Sequence, residues 1–216
     1  MSTTAGGPRR SGTTREEQVR TTRRRILAAA QELFLERGYL GTTVEAVAGH
    51  ARVSVQSIYN VVGGKADLLK AVWDTMLAGN DDPVPMINQP TGLAMQGAPD
   101  GHTCLMLYAR MAREIYERIG ALLGSVYGEG AGHDPAVREF LTTIDRERAI
   151  GTRGVAQLVA ERHGLRDGLS TREAADILWV LTAPDASHRL IRNRRWSLVK
   201  YERWLGEAMA DSLLPR

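Results

Sequence analysis

The stretch Thr42–Leu69, TTVEAVAGHARVSVQSIYNVVGGKADLL, decides how the rest of the chain is understood. Two short helical patterns, Val44 to Ala51 and Val55 to Val61, stand only three residues apart. Such a spacing leaves room for little but a tight turn that sets the helices at a steep angle, the helix-turn-helix arrangement. Thr42 and Glu45 fit a capping box, T-x-x-E, which makes Thr43 the first helical residue and puts Val44, Val47, Ala48 and Ala51 on the buried face. Ser54 is placed to cap the second helix. Projected at about 100° per residue, Val55, Ile58, Val61 and Val62 gather on one side of that helix, and Gln56, Ser57 and Asn60 on the other, with Tyr59 on the flank. The apolar side seats the helix. The polar side offers two amides and a hydroxyl, groups that hydrogen-bond base edges in a major groove or, with nothing opposite, simply face water.

Upstream, Ile26, Ala29, Ala30, Leu33 and Phe34 recur at helical spacing within 18–37, and Gly38 stops the run as a C-terminal cap does. Arg20, Arg23, Arg24 and Arg25 crowd the first half of this helix, against the dipole's preference. They present either a phosphate-binding cluster or a solvated charged face. Residues 1–17 combine Gly, Pro, Ser, Thr and Arg with almost nothing to bury, and read as a flexible basic arm. Downstream, Gly63 and Gly64 end the polar-faced helix and Lys65 opens the next, which carries Leu68, Leu69, Val72, Trp73 and Met76. Thr43 and Lys65, each at a helix N-terminus, are positioned to meet phosphate. The Gly-Gly-Lys string is not a nucleotide-binding loop, which needs glycine where Tyr59 stands and Ser or Thr where Ala66 stands.

Residues 18–78 resemble the DNA-binding domain of the tetracycline-repressor (TetR) family of bacterial transcription regulators. The resemblance rests on Gly38-Tyr39, Thr42-Thr43-Val44, Val47-Ala48, Ala51, Val53-Ser54, Ile58-Tyr59, and Lys65 followed by Leu68-Leu69. It implies phosphate contacts from Thr43, Tyr59 and Lys65 and base contacts from Gln56, Ser57 and Asn60. The DNA-binding set as a whole is Thr42, Thr43, Arg52, Ser54, Val55, Gln56, Ser57, Tyr59, Asn60 and Lys65. Two departures stand out. Arg52 replaces the glycine usual in the turn, and a left-handed residue there costs about 1 to 2 kcal/mol. Val61 and Val62 replace the usual His-Phe pair.

The charge supports this division. Residues 1–80 carry 11 Lys/Arg against 7 Asp/Glu, whereas 81–216 carry 17 against 18. The basic excess therefore lies with the candidate DNA reader. A hydrophobic content of 43% over 216 residues is ordinary for a globular protein able to bury a core. The single cysteine, Cys104, precludes an internal disulfide framework and suits a reducing cytoplasm. No apolar run approaches the roughly 18 residues of a membrane span, so no membrane association is expected. The five histidines are scattered without a partner at ligand spacing, so no metal and no cofactor is expected. No nucleophile motif appears, and the chain does not read as an enzyme.

Residues 79–102, rich in Pro and Gly, break the composition between the DNA-binding domain (18–78) and a larger helical domain (79–216), with a short helix near Leu93. Beyond the break, 103–127 reads as a helix with Leu105, Tyr108, Ala109, Ala112, Ile115, Tyr116 and Ile119 on one face. Asp134-Pro135 opens a long helix to about His163. Gly151 and Gly154 inside it mark either a close helix neighbour or space for a ligand. Ser170 and Glu173 form a capping box, Pro184 interrupts that helix, and Ser197 caps the last one. The expected fold is all-α: a three-helix N-terminal helix-turn-helix domain and a C-terminal effector-binding and dimerisation domain.

Function follows from this reading: a regulator, expected to be a repressor, binding a near-palindromic double-stranded operator as a homodimer and released by a small apolar or amphipathic effector. Candidate effector contacts are Trp73, Tyr108, Met111 and Trp179. Candidate dimer contacts are Trp179, Trp204, Leu205 and Met209, since the resemblance implies that the last two long helices pair between protomers; core packing is the competing explanation for each. The rival functions are a non-sensing architectural DNA binder, which needs no cavity, and an all-α carrier or enzyme.

Overall fold

The computed structural model describes residues 11–79, 85–127 and 133–215. Ten α-helices are found among them: α1 Ser11–Arg37, α2 Val44–Ala51, α3 Val55–Val61, α4 Lys65–Ala78, α5 Pro90–Gln96, α6 Gly101–Val126, α7 Pro135–Arg162, α8 Thr171–Leu181, α9 Pro184–His188 and α10 Leu198–Leu213. A π-helical segment, Arg189–Asn193, follows α9. The chain divides into two compact units, Met1–Val72 and Trp73–Arg216. The division falls inside α4, upstream of the composition break at Gly79.

In the N-terminal unit, α1 packs on α2 and α3 through Ile26, Ala30, Leu33, Phe34, Val47 and Ile58, all essentially inaccessible. Gly38 ends α1 with φ +70° and donates its N–H to the Phe34 carbonyl at 3.1 Å, the left-handed stop its identity suggested. At the other end, α1 begins at Ser11, inside the stretch expected to be a flexible arm. Once a helix is nucleated on a packed core, adding residues costs little, and nothing between Thr13 and Gln18 breaks it. Residues 1–10, the remainder of the expected arm, lie outside the described residues.

The expected capping box does not form, and the N-cap moves by one residue. Thr43, not Thr42, is the N-cap of α2: its backbone is extended and its Oγ1 accepts the Ala46 N–H at 3.1 Å. Thr42 is 1% exposed. Its hydroxyl lies 3.0 Å from the Leu33 carbonyl and 2.9 Å from that of Gly38, its one proton directed at the C-terminal end of α1. Tertiary bonding captures Thr42 and hands the cap to its neighbour.

Arg52 ends α2 at φ 54°, ψ 50°, the left-handed conformation that disfavours a side chain. Arg52→Gly should therefore raise stability by about 1 kcal/mol, the relieved strain being partly offset by the greater freedom of glycine in the unfolded chain. Chemical denaturation measures it; a destabilised variant would show that the Arg52 side chain contributes more than its backbone costs.

The C-terminal unit is built on α6, which packs against α5 and α10, while α7 packs on α8 and α8 on α10. Local signals place the helix starts as expected. Asp134 caps α7, with Pro135 at its first position. Ser170 and Glu173 complete a reciprocal capping box on α8, and Ser197 caps α10. A ridge of Tyr201, Leu205, Met209 and Leu213 on α10 is fully buried against Leu105, Ala109 and Leu178. Cys104 is also buried, and loss of solvation pushes its thiol pKa up, away from nucleophilic use.

Candidate functional site: a nucleic-acid interface and an internal cavity

The outer face of α3 is formed by Gln56, Tyr59 and Asn60, all exposed, with Val55 and Ser57 half-buried beside them. Ser54 starts the helix by accepting the Ser57 N–H at 3.1 Å, and the two serine hydroxyls bond at 2.7 Å. Gln56 Nε2 donates to Asn60 Oδ1 at 2.9 Å. Two amides one helical turn apart are thereby joined, leaving the Gln56 carbonyl oxygen as an acceptor and the Asn60 amide nitrogen as a donor outside this bond. Beneath them only Ile58 is fully buried, with Val61 and Val62 half-buried in the places of the family's His-Phe pair.

The residues expected at phosphates divide. Thr43, exposed at the start of α2, and Tyr59, 52% exposed, stand on the surface. Thr42, also in the expected DNA-binding set, is buried beneath this surface. Lys65 lies with its Nζ 4.2 Å from the centre of the Tyr39 ring and 3.5 Å from the Leu40 carbonyl, a cation held against an aromatic face. The N-terminus of α4 already has an anion of its own, since the Asp67 carboxylate accepts the Gly64 N–H at 2.8 Å. A phosphate at Lys65 would meet the ammonium more than the helix end.

The arginine cluster of α1 is partly structural. Arg25 donates to the carbonyls of Ala51 and Arg52 at the C-terminus of α2, and Arg23 to that of Val61 at the C-terminus of α3. Cations are favoured at helix C-termini, so the charges that oppose the dipole of α1 complement those of α2 and α3. The sequence showed the cluster; the destination of each guanidinium is a tertiary fact.

The C-terminal unit holds a partly open cavity of about 190 Å³ lined by α4, α6, α7 and the segments around α9. Of the expected effector contacts, Trp73 and Tyr108 line it. Met111 does not: it is buried and faces an adjoining groove lined also by Ile87, Met95, Ile150 and Gly154. Trp179 also lies outside. Its indole Nε1 donates to the Asp145 carbonyl at 3.4 Å, Arg148 stacks over its ring at 5.4 Å, and it borders a separate surface groove. Residues not expected from sequence include Tyr116, Arg148, Thr152, Thr182, Ser187 and Tyr201. Tyr116 had read as a plain apolar position, and Tyr201 had not been singled out.

Gly151 and Gly154 are both exposed on α7. No heavy atom beyond the helix's own backbone lies within 4 Å of where a side chain would begin at either, so no neighbouring helix requires them. Gly151 borders both the cavity and the groove outside it, as do Met86 and Tyr108.

Burial raises the Tyr201 phenol to about 12 from its ordinary value of 10. A raised folded-state value means that stability is intact below pH 10 and is lost as pH climbs toward 12, because the unfolded chain ionises first. Full passage through that window should cost about 2 to 3 kcal/mol. Alkaline denaturation of Tyr201→Phe should show a shallower slope than the parent; equal slopes would assign the loss to other groups.

The expected dimer contacts also divide. Leu205 and Met209 are fully buried within their own protomer and belong to its core, because the other apolar stripe of α10 turns inward. Trp204 remains 37% exposed, alongside Val199, Val180 and Trp179. Among the described residues no cluster of metal-binding side chains occurs and no helix is long and apolar enough to cross a membrane.

Comparison with known proteins agrees with the helix-turn-helix geometry. Residues 26–72 match the family model described as bacterial regulatory proteins, tetR family. The chain is 26% identical over 179 residues to the uncharacterized HTH-type transcriptional regulator YdeS of Bacillus subtilis (strain 168), covering 83% of this chain and 80% of that protein. Among solved structures, NalD, the secondary repressor of the MexAB-OprM multidrug efflux pump in Pseudomonas aeruginosa, superposes with a TM-score of 0.64 at 21% identity, covering 92% of this chain and 98% of NalD. FadR from Bacillus subtilis, in complex with stearoyl-CoA, gives 0.64 at 15% identity, covering 86% and 96%.

Proposed function

We propose that the chain is a regulator of the TetR kind: a homodimeric, sequence-specific repressor released from its operator by a small molecule held in the C-terminal cavity. The observation that carries this reading is the exposed, preorganised Gln56–Asn60 pair on a helix seated by Ile58 and capped by Ser54. A solvated helix gains only about 0.2 to 0.5 kcal/mol from such a pair, whereas adenine offers a matching acceptor and donor in the major groove. Two such helices about 34 to 36 Å apart would meet successive major grooves of a near-palindromic site.

The protein acts by binding, in the cytoplasm where its DNA lies, and no catalytic step is assigned to it. Helix α4 links the two activities within one element. It begins at Lys65 and contributes Trp73 and Leu77 to the cavity lining. An effector that moves Trp73 would displace Lys65 and the reading helix before it, so operator and effector favour different arrangements of the same dimer. NalD is a repressor and FadR holds an acyl-CoA, but their likeness to this chain extends to the fold; the effector class here rests on this cavity.

The test is a mobility-shift titration of the full chain against the DNA upstream of its own gene, at physiological salt. A sequence-preferring, salt-sensitive shift is expected. Equal binding to unrelated DNA would favour an architectural role. Sedimentation of the same sample checks for the dimer, whose candidate surface is the exposed face of α8 and α10 around Trp179, Val180, Val199 and Trp204.

A further inference from the structure

The partly open cavity of the C-terminal unit continues beyond its own walls. Met86, Tyr108 and Gly151 line both it and a groove of about 410 Å³ beside it, so the two spaces meet along one border. On α7 the cavity wall runs from Ile144 to Thr152 and the groove wall from Ile150 to Leu158. At a helical rise of about 1.5 Å per residue the combined wall is about 21 Å long. A compact molecule would fill only part of it.

The chemistry changes along this wall. The cavity end carries the hydroxyls of Thr152, Thr182 and Ser187, with Glu147 and Arg148 nearby. Among the described residues no charged side chain lines the groove, and its amide, Gln96, donates to the Ile87 carbonyl at 2.9 Å. Met86, Met95 and Met111 contribute to the groove, and unbranched thioether side chains adapt their shape to an apolar guest. Along α7, Gly151 and Gly154 leave open space where side chains would begin, and Ile150, 68% exposed, forms an apolar rim. Apolar surface gathered in this way is stabilised by leaving water.

We propose that cavity and groove are one elongated site for a molecule with a long, flexible, uncharged hydrocarbon chain. Its polar end lies in the cavity, and the chain runs out over Gly151 and Gly154 among the methionines. This rests on reading the C-terminal unit as the effector-binding part of the protein and adds to it the chemical class of the effector.

The experiment uses the full-length protein and four straight-chain alcohols, hexanol, octanol, decanol and dodecanol. Adamantanol is the compact counterpart of decanol at equal carbon number. Binding is followed by calorimetry and thermal shift. Affinity should rise about two- to fourfold with each added methylene, the upper figure for full burial and the lower for a chain half exposed in the groove, and decanol should bind about tenfold more tightly than adamantanol. Gly154→Leu, which fills the groove, should reduce dodecanol to the level of octanol and leave hexanol unchanged. Without ligand it should melt no lower than the parent, because leucine is the better helix former and enters open space. Ile150→Ser, at the exposed rim, makes the same test without adding bulk to the helix, and should weaken dodecanol while sparing hexanol. An affinity that stops rising beyond hexanol, adamantanol binding as tightly as decanol, or equal effects on hexanol and dodecanol in both variants would each overturn the proposal. Gly154→Leu should sediment as the parent does; a changed oligomeric state would assign the groove to a contact between copies of the chain and overturn the proposal. The same probes are then applied to the DNA complex of the parent. Length-dependent binding without DNA release upholds the ligand class and overturns the effector role; release by adamantanol as readily as by decanol overturns the class and upholds the role.

Discussion

Asn60→Ala should lower affinity for the operator about 10- to 100-fold while leaving binding to unrelated DNA nearly unchanged, and Lys65→Ala should weaken both alike. The first figure corresponds to the roughly 1 to 3 kcal/mol carried by a good bidentate base contact. The structure makes it a property of a pair, because Gln56 donates to Asn60. Gln56→Ala and Asn60→Ala should therefore be non-additive in a double-mutant cycle, the second loss being smaller once the first has been taken. Lys65 stands off the reading face, over Tyr39. Its removal should flatten the salt dependence of binding by about one unit per protomer without altering sequence preference. Indistinguishable profiles for Asn60→Ala and Lys65→Ala would mean that α3 is not divided into readers and positioners.

Arg113→Ala should be the most destabilising single polar change in the C-terminal unit. Arg113 Nε lies 2.6 Å from the Glu202 carboxylate of α10, Nη1 lies 2.6 Å from that of Glu117, and Nη2 is 3.8 Å from Glu114. Glu114 in turn accepts from Thr91 of α5 at 3.0 Å. The guanidinium thus joins three helices, with its side chain only 19% exposed. Removing it takes the cation from between Glu117 and Glu202, while Glu114 keeps Arg110 at 3.1 Å. Breaking a fully buried pair costs about 3 to 5 kcal/mol; partial exposure reduces the expectation here to about 2 to 3 kcal/mol, or a melting temperature lower by about 5 to 10 °C. Glu202→Gln, which keeps an acceptor, should cost less. A loss for Arg113→Ala below about 0.5 kcal/mol would place this network with ordinary surface pairs.

What the sequence made legible was local. Gly38, Ser54, Asp134-Pro135 and the Ser170/Glu173 box each act within one helical turn, and each marks a boundary that the structure keeps. The polar face of α3 was equally readable, since a helix repeats at a fixed angle whatever surrounds it. The errors arose where a second element intervenes. Thr42 and Thr43 are equivalent by pattern until the end of α1 takes the Thr42 hydroxyl. Leu205 and Met209 lie on one of two apolar stripes of α10, and only packing decides which turns inward. The cavity was the least legible part, because its walls come from residues scattered between Trp73 and Tyr201. Tyr116 seemed one more apolar position until the fold set it in the cavity wall.

Gly151 gives the protein a point of adjustment. It borders both the cavity and the groove outside, with open space where a side chain would stand. Larger residues at this position would narrow the passage and the chamber in steps of a methyl group, while helix propensity would improve with the first of them. On the proposed function, the range of molecules sensed would be open to change by single codon replacements that do not touch the helix-turn-helix. A gene duplicated with this chain's operator contacts intact would have a short evolutionary path to answering a different signal.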